Sequence, residues 1–219
     1  SVTTPYAELH CLSNFTFLRG ASHPEELVQQ AADLGYQALA LTDECSFAGV
    51  VCAHRAIKEE NLSLKLIIGS EFRHASGLYI VLVTGRKAYA ELSTLITQCR
   101  RQAEKGHYTF TPAQLTDLQH CLLLWQPAEQ EILSEYAALI RHFHQRLWLL
   151  GERTLDEFDA HHYIDIARWA DTLDLPVVAA SNVHMHHPSR HSLQDCLTAI
   201  RMNQPVQQIK HRLYANAER

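Results

Sequence analysis

Gln37-Ala38-Leu39-Ala40-Leu41-Thr42-Asp43-Glu44 is the stretch that decides the fold of this chain. Its apolar residues follow one another without the alternation of a half-exposed strand, and they are too few to form a helical stripe. A run this short and this apolar is a strand buried on both faces, as parallel strands under crossover helices are. Gly35 stops a helix just before it, and Asp43 and Glu44 place two carboxylates at its C-terminal end.

Working outward, the same unit recurs. Residues 7–11 read as a first strand containing His10, and Ser22-His23-Pro24-Glu25 has the spacing of a capping box with proline just inside a helix that runs to about Leu34. On the other side Ser46 caps a helix over 48–60, and 64–68 is a third strand that ends in Gly69-Ser70-Glu71. Strands follow at 78–83, 121–125, 146–150 and 176–180, with helices over 88–102, 129–143, 155–173 and 189–201 between or after them. Residues 106–119 are polar and turn-rich, with one short helix at 112–118. Residues 1–203 form one domain, and 204–219 read as a tail.

Seven strands alternating with helices predict parallel pairing through right-handed crossovers, hence an α/β protein. An open sheet and a closed barrel both satisfy that order. His10, Asp43 with Glu44, Glu71, and Asn182 with His184 fall at the C-terminal ends of the first, second, third and last strands. Only a barrel makes the first and last strands neighbours, so that all of these side chains meet at one mouth. The expectation is a distorted seven-stranded, TIM-like (β/α)7 barrel.

Of 219 residues, 47% are hydrophobic and 20% charged, which suits one sizeable core. Nineteen Lys and Arg against 24 Asp and Glu leave a formal charge of −5, which argues against a phosphate-gripping DNA module. No apolar run approaches the roughly twenty residues of a membrane span, and no basic-then-apolar leader opens the chain, so the expected compartment is the cytoplasm. Six cysteines (Cys11, Cys45, Cys52, Cys99, Cys121, Cys196) form no C-x-x-C pair and read as free thiols; whether Cys11 or Cys45 supplies a thiolate to the mouth stays open. Fifteen histidines are the compositional outlier. His184 is expected to face the mouth, His186 and His187 to lie in the loop before Pro188, and His142, His144, His161 and His162 to be surface residues on helices.

Imidazole and carboxylate side chains gathered at one mouth suit zinc, manganese or iron, and a pair of such ions can clamp a phosphate while one supplies hydroxide. Phosphoester hydrolysis is the chemistry this pattern points to.

Tyr6 to Gly20 (YAELHCLSNFTFLRG), Ala38 to Glu44 (ALALTDE), Ile67 to Phe72 (IIGSEF) and Val177 to His184 (VVAASNVH) resemble the successive motifs of the PHP domain, the family named for polymerases and histidinol phosphatases. The wording is most similar to the N-terminal domain of the bacterial error-prone polymerases, relatives of the replicative polymerase III alpha subunit. The resemblance implies a distorted seven-stranded barrel whose mouth, in active members, holds up to three divalent metals and hydrolyses phosphoesters. It also implies a parent polypeptide that is a DNA-directed DNA polymerase, a nucleotidyltransferase acting in damage repair and replication. Tyr214 to Arg219 resembles the lead into its polymerase body.

Carried over residue by residue, the metal set is incomplete. His10, Glu71 and His184 match ligands, Glu44 stands where the family has His, and Asp43 and Asn182 are weaker members. Leu12, Arg19, Ile80 and Asn182 depart from the ligands of active members. Leucine and isoleucine donate nothing, an amide offsets no charge, and an arginine repels a cation. The resemblance therefore implies a module that docks on the polymerase body, with a degenerate site holding one divalent ion, zinc or manganese, or none. DNA would be reached through the parent enzyme, and other replication proteins of the damage response are candidate partners. Two rivals stand beside it: an active metal-dependent phosphoesterase or proofreading exonuclease, and a partner-binding module.

Overall fold

The computed structural model describes residues 7–16, 22–128, 134–151 and 159–179, with helical residues 196, 197 and 199. The order is β1 (Ala7–Cys11), α1 (Pro24–Asp33), β2 (Ala38–Leu41), α2 (Val50–Glu59), β3 (Lys65–His74), β4 (Gly77–Leu82), α3 (Arg86–Arg101), a 3-10 helix (Pro112–Asp117), β5 (Leu122–Pro127), α4 (Ser134–His142), β6 (Leu147–Gly151), α5 (Asp159–Leu173) and β7 (Val177–Ala179). All seven expected strands are present and form a single sheet in chain order.

The pairing differs from the all-parallel expectation. β1–β2, β2–β3, β5–β6 and β6–β7 are parallel, but β4 runs antiparallel to both β3 and β5. Only Ala75 and Ser76 separate β3 from β4, and a parallel crossover needs a dozen or more residues, so the two strands can join only as a hairpin. His74 and Ser76 fasten that turn: the Ser76 N–H donates to His74 Nδ1 at 3.1 Å. Gly77 leaves it at φ +147°, and a Cβ there would run into the Gln126 carbonyl. The longer hairpin also corrects the third strand, which runs on to His74 and carries Glu71 within it.

Two helix starts differ as well. His23, not Ser22, holds the N-cap of α1, without a side-chain bond, and Pro24 is the first helical residue. Gly49 precedes α2, while Ser46 Oγ accepts the Ala48 N–H at 3.0 Å in the loop before it. His142 is more than surface polarity: its Nε2–H donates to the Leu118 carbonyl at 2.6 Å and ties α4 to the 3-10 helix. His144 is exposed, as expected. The remaining residues of the expected 189–201 helix, the 204–219 tail, and the side chains of His161 and His162 lie outside the described residues.

The sheet separates two apolar layers. On its outer side Leu39, Leu41, Ile68, Tyr79, Trp125 and Leu149 pack against Val28, Ala53, Leu92 and Leu139 of the helices. On its inner side Ala7 and Leu9 of β1, Ala38 and Ala40 of β2, Ile80 of β4, Leu124 of β5, Leu150 of β6 and Val178 of β7 form one cluster. Residues of the first and last strands thus share a core, although among the described residues no backbone ladder joins β7 to β1. The result is a curled half-barrel sheet of the distorted, TIM-like kind.

Candidate metal centre

A bulge in β1 aims the first candidate. Glu8 pairs with Leu39 and Cys11 with Leu41, so Leu9 and His10 together oppose Ala40 alone. The extra residue keeps Leu9 in the inner core while turning His10 toward the mouth, the re-aiming that bulges commonly perform. His10 Nε2 lies 2.7 Å from Glu71 Oε2, with the two side chains 5% and 0% exposed.

The loop after β2 brings Glu44 alongside. The Cys45 N–H donates to the Glu71 carbonyl at 2.9 Å and the Glu71 N–H to the Asp43 carbonyl at 3.1 Å, forming a parallel bridge between Glu44 and Glu71. Cys45 turns the chain there at φ +45°. Asp43 points elsewhere. Its Oδ1 accepts the Ser13 N–H and the Thr16 hydroxyl, both at 2.6 Å, and its Oδ2 accepts the Ser13 hydroxyl at 2.7 Å. Asp43 therefore fastens the β1 loop to the β2 loop. Ile80 sits opposite Glu71 in the β3–β4 register and is fully buried, while Leu12 is half-buried just past β1. Arg19, Asn182 and His184 lie outside the described residues.

Among the described residues, three that sequence reading missed lie around these carboxylates. Arg73 Nε donates to Glu71 Oε1 at 3.3 Å, and the Arg73 N–H donates to the Tyr108 oxygen at 3.0 Å. The Tyr108 hydroxyl in turn donates to Glu44 Oε1 at 2.6 Å. Arg100 donates to the carbonyls of Glu44, Cys45 and His107 and lies 5.5 Å from the centre of the Tyr108 ring. Arg73 had a readable signal, since it lies two residues past Glu71 on the same strand; Tyr108 and Arg100 had none. A cleft of about 650 Å³ lined by Phe15, Glu44, Arg100, Lys105, His107 and Tyr108 adjoins this network.

Burial sets the electrostatics of the neighbouring groups. Burial, with the carboxylates of Glu8 and Asp43 beside it, pushes the Cys11 thiol up to about 12. The hydrogen bond with Cys99 and burial raise Cys45 as well. Both shifts favour the protonated thiol. Burial and the bond to Glu44 hold the Tyr108 hydroxyl above its ordinary range.

A structural divalent ion takes several oxygen, nitrogen or sulfur donors turned to one point. Among the described residues no group of three or more His, Cys, Asp or Glu is arranged that way. Glu71 faces His10 and Arg73, Glu44 gives an oxygen to Tyr108, Asp43 is spent on the loops, and Leu12 and Ile80 bring no donor. The described residues do not fit a polynuclear metal cluster.

The sequence profile of the PHP domain matches residues 8–168. The chain belongs to the PHP domain family. Curated relatives of this PHP domain are error-prone DNA polymerases: that of Hahella chejuensis is 48% identical over 97% of this chain, that of Vibrio vulnificus 47% over 97%, and that of Methylococcus capsulatus 47% over 100%. The chain spans 21% of the length of each, and the similarity is to their N-terminal region. Among solved structures, a Bifidobacterium adolescentis protein named for metal-dependent phosphoesterase activity superposes with a TM-score of 0.59 at 14% identity, covering 89% of this chain and 96% of its own. A Chromobacterium violaceum amidohydrolase superposes at 0.54 and 16% identity, covering 81% and 87%. At such identities the likeness is one of fold. No helix among the described residues is long and apolar enough to cross a membrane.

Proposed function

We propose that this chain is the PHP domain of an error-prone, translesion DNA polymerase. It serves there as a structural and docking module, with a degenerate metal mouth and little or no hydrolase activity of its own. The observation that carries the reading is the engagement of Glu71, a fully buried carboxylate held by His10 and Arg73 where an active mouth would hold ions. Identity of 48% to an error-prone DNA polymerase supports the choice of parent enzyme.

In this reading residues 1–203 form the domain and 204–219 lead toward a polymerase body in the same polypeptide, which supplies nucleotidyl transfer and the contact with DNA. The compartment is the cytoplasm, and other replication proteins of the damage response are further partners. A single zinc or manganese ion, where one is held, would take His10, Glu44, Glu71 and His184, with Asn182 as a weaker member and Asp43 left to the loops, and would displace the contacts from Arg73 and Tyr108.

Metal analysis of the purified chain, followed by assays on a generic phosphodiester and on single-stranded DNA with manganese or zinc, tests the proposal. No turnover above that of His10→Ala and Glu71→Ala is expected. Turnover that both substitutions abolish would instead establish the phosphoesterase or exonuclease reading. In a full-length relative, deleting the domain is expected to cost folding or polymerisation, and an intact, fully active deletion would remove the docking role.

A further inference from the structure

We infer that Arg73 is the resident cation of this mouth, taking the place that a divalent ion holds in a metal-loaded one. The inference rests on the degenerate-mouth reading above and names a cation, among the described residues, that answers its buried carboxylate.

A carboxylate removed from water needs a compensating charge or a full set of donors. Glu71 is 0% exposed, and its cross-strand neighbour Ile80 is equally buried and contributes no polar atom. The carboxylate meets His10 Nε2 at 2.7 Å on one oxygen and Arg73 Nε at 3.3 Å on the other. Of these two, the guanidinium carries its charge at every pH at which the protein is folded. It can do so here because Glu71 and Arg73 are two residues apart on β3 and so project from the same face of the strand.

Arg73 also reaches the second candidate carboxylate. Its backbone N–H donates to Tyr108, whose hydroxyl donates to Glu44 Oε1. One residue at the rim thereby holds Glu71 through its side chain and Glu44 through Tyr108. The side chain is 47% exposed, so this cation is not fully desolvated, which lessens the cost a buried one would carry. A divalent ion approaching Glu71 would meet a positive charge already in place.

The test is thermal unfolding of the 219-residue chain in EDTA and in zinc or manganese chloride, for wild type, R73K, R73M, E71Q and R73M/E71Q. The wild type is expected to unfold at the same temperature with and without metal. R73M is expected to unfold about 4 °C or more lower, R73K to recover at least half of that loss, and R73M to cost little in the E71Q background. R73M alone is expected to gain an upward shift on adding metal, because the competing cation is gone. An R73M cost that is the same with and without the Glu71 charge, or no cost at all, overturns the role of Arg73 while leaving the degenerate mouth standing. A wild type that purifies with an equivalent of zinc or manganese overturns Arg73 as the resident cation, and leaves the single-ion form of the degenerate mouth standing. If R73M does not fold, recovery of folding in R73M/E71Q supports the inference and failure to recover overturns it.

Discussion

The Tyr108 hydroxyl donates to Glu44 Oε1 at 2.6 Å, and the Tyr108 phenol oxygen itself accepts the Arg73 N–H at 3.0 Å. Tyr108 lies in the polar segment after α3, Glu44 in the loop after β2, and Arg73 in the far half of β3. One phenol thus joins three stretches of chain that no local pattern relates, and it leaves Glu44 one fewer oxygen with which to hold an ion.

Tyr108→Phe is expected to destabilise the chain by about 1–2 kcal/mol at neutral pH through loss of that bond. The pH dependence carries a sharper signature. Burial, and then the bond to Glu44, raise the Tyr108 hydroxyl above its ordinary value of 10.0, so its contribution is complete below pH 10 and falls away as the pH climbs through the folded-state value. Denaturant unfolding from pH 8 to 11 is expected to show a flatter alkaline limb for the variant than for the wild type.

Asp43→Ala removes three short hydrogen bonds to a carboxylate that is 1% exposed, and leaves the Ser13 N–H without its acceptor. A loss of about 3 kcal/mol is expected by chemical denaturation. Asp43→Asn, which retains one oxygen, is expected to lose about half as much. The metal content of the purified chain is expected to be the same in both variants as in wild type, because Asp43 faces the loops.

Gly69→Ala tests the close approach beside the mouth. A Cβ at this position would stand 2.6 Å from the Val81 carbonyl and 2.9 Å from Leu82 Cδ2. Val81 and Leu82 belong to the β4 ladder and cannot yield without breaking it, so a cost of about 2–3 kcal/mol is expected from the unfolding midpoint.

Glu91 of α3 fastens the start of β5. It accepts the Gln119 N–H at 2.8 Å, the His120 N–H at 2.9 Å, and the His120 ring at 3.1 Å. Burial alone would raise this carboxyl, but the two backbone bonds and His120 together bring it below its ordinary 4.5. A lowered carboxyl stabilises the fold above its unfolded value and loses that effect as the pH falls through the folded one. Glu91→Gln is therefore expected to flatten the loss of stability below about pH 4.5, as measured by acid titration of the circular dichroism.

The apolar runs at 38–41, 66–68, 78–82, 122–125, 147–150 and 177–179 made the strands legible, because burial on both faces leaves no other use for so short a run. The direction of β4 was less legible, because the sequence reading ended the third strand at Ile68 and only the structure carries it on to His74, two residues short of β4. His10 and Glu71 were found at strand ends and do meet. Asp43 looked the same in sequence as Glu44 and proved to serve the loops, since the direction of a side chain past a strand end depends on the loop that follows.

By itself the sequence determined the number and order of the strands, the α/β class, the family motifs and the residues that could not ligate an ion, Leu12 and Ile80, because these depend on residue chemistry and short-range pattern. Only the tertiary structure decided which groups answer the remaining carboxylates. Tyr108 from 64 residues away and the bulge that turns His10 inward act through long-range contacts that no local stretch encodes.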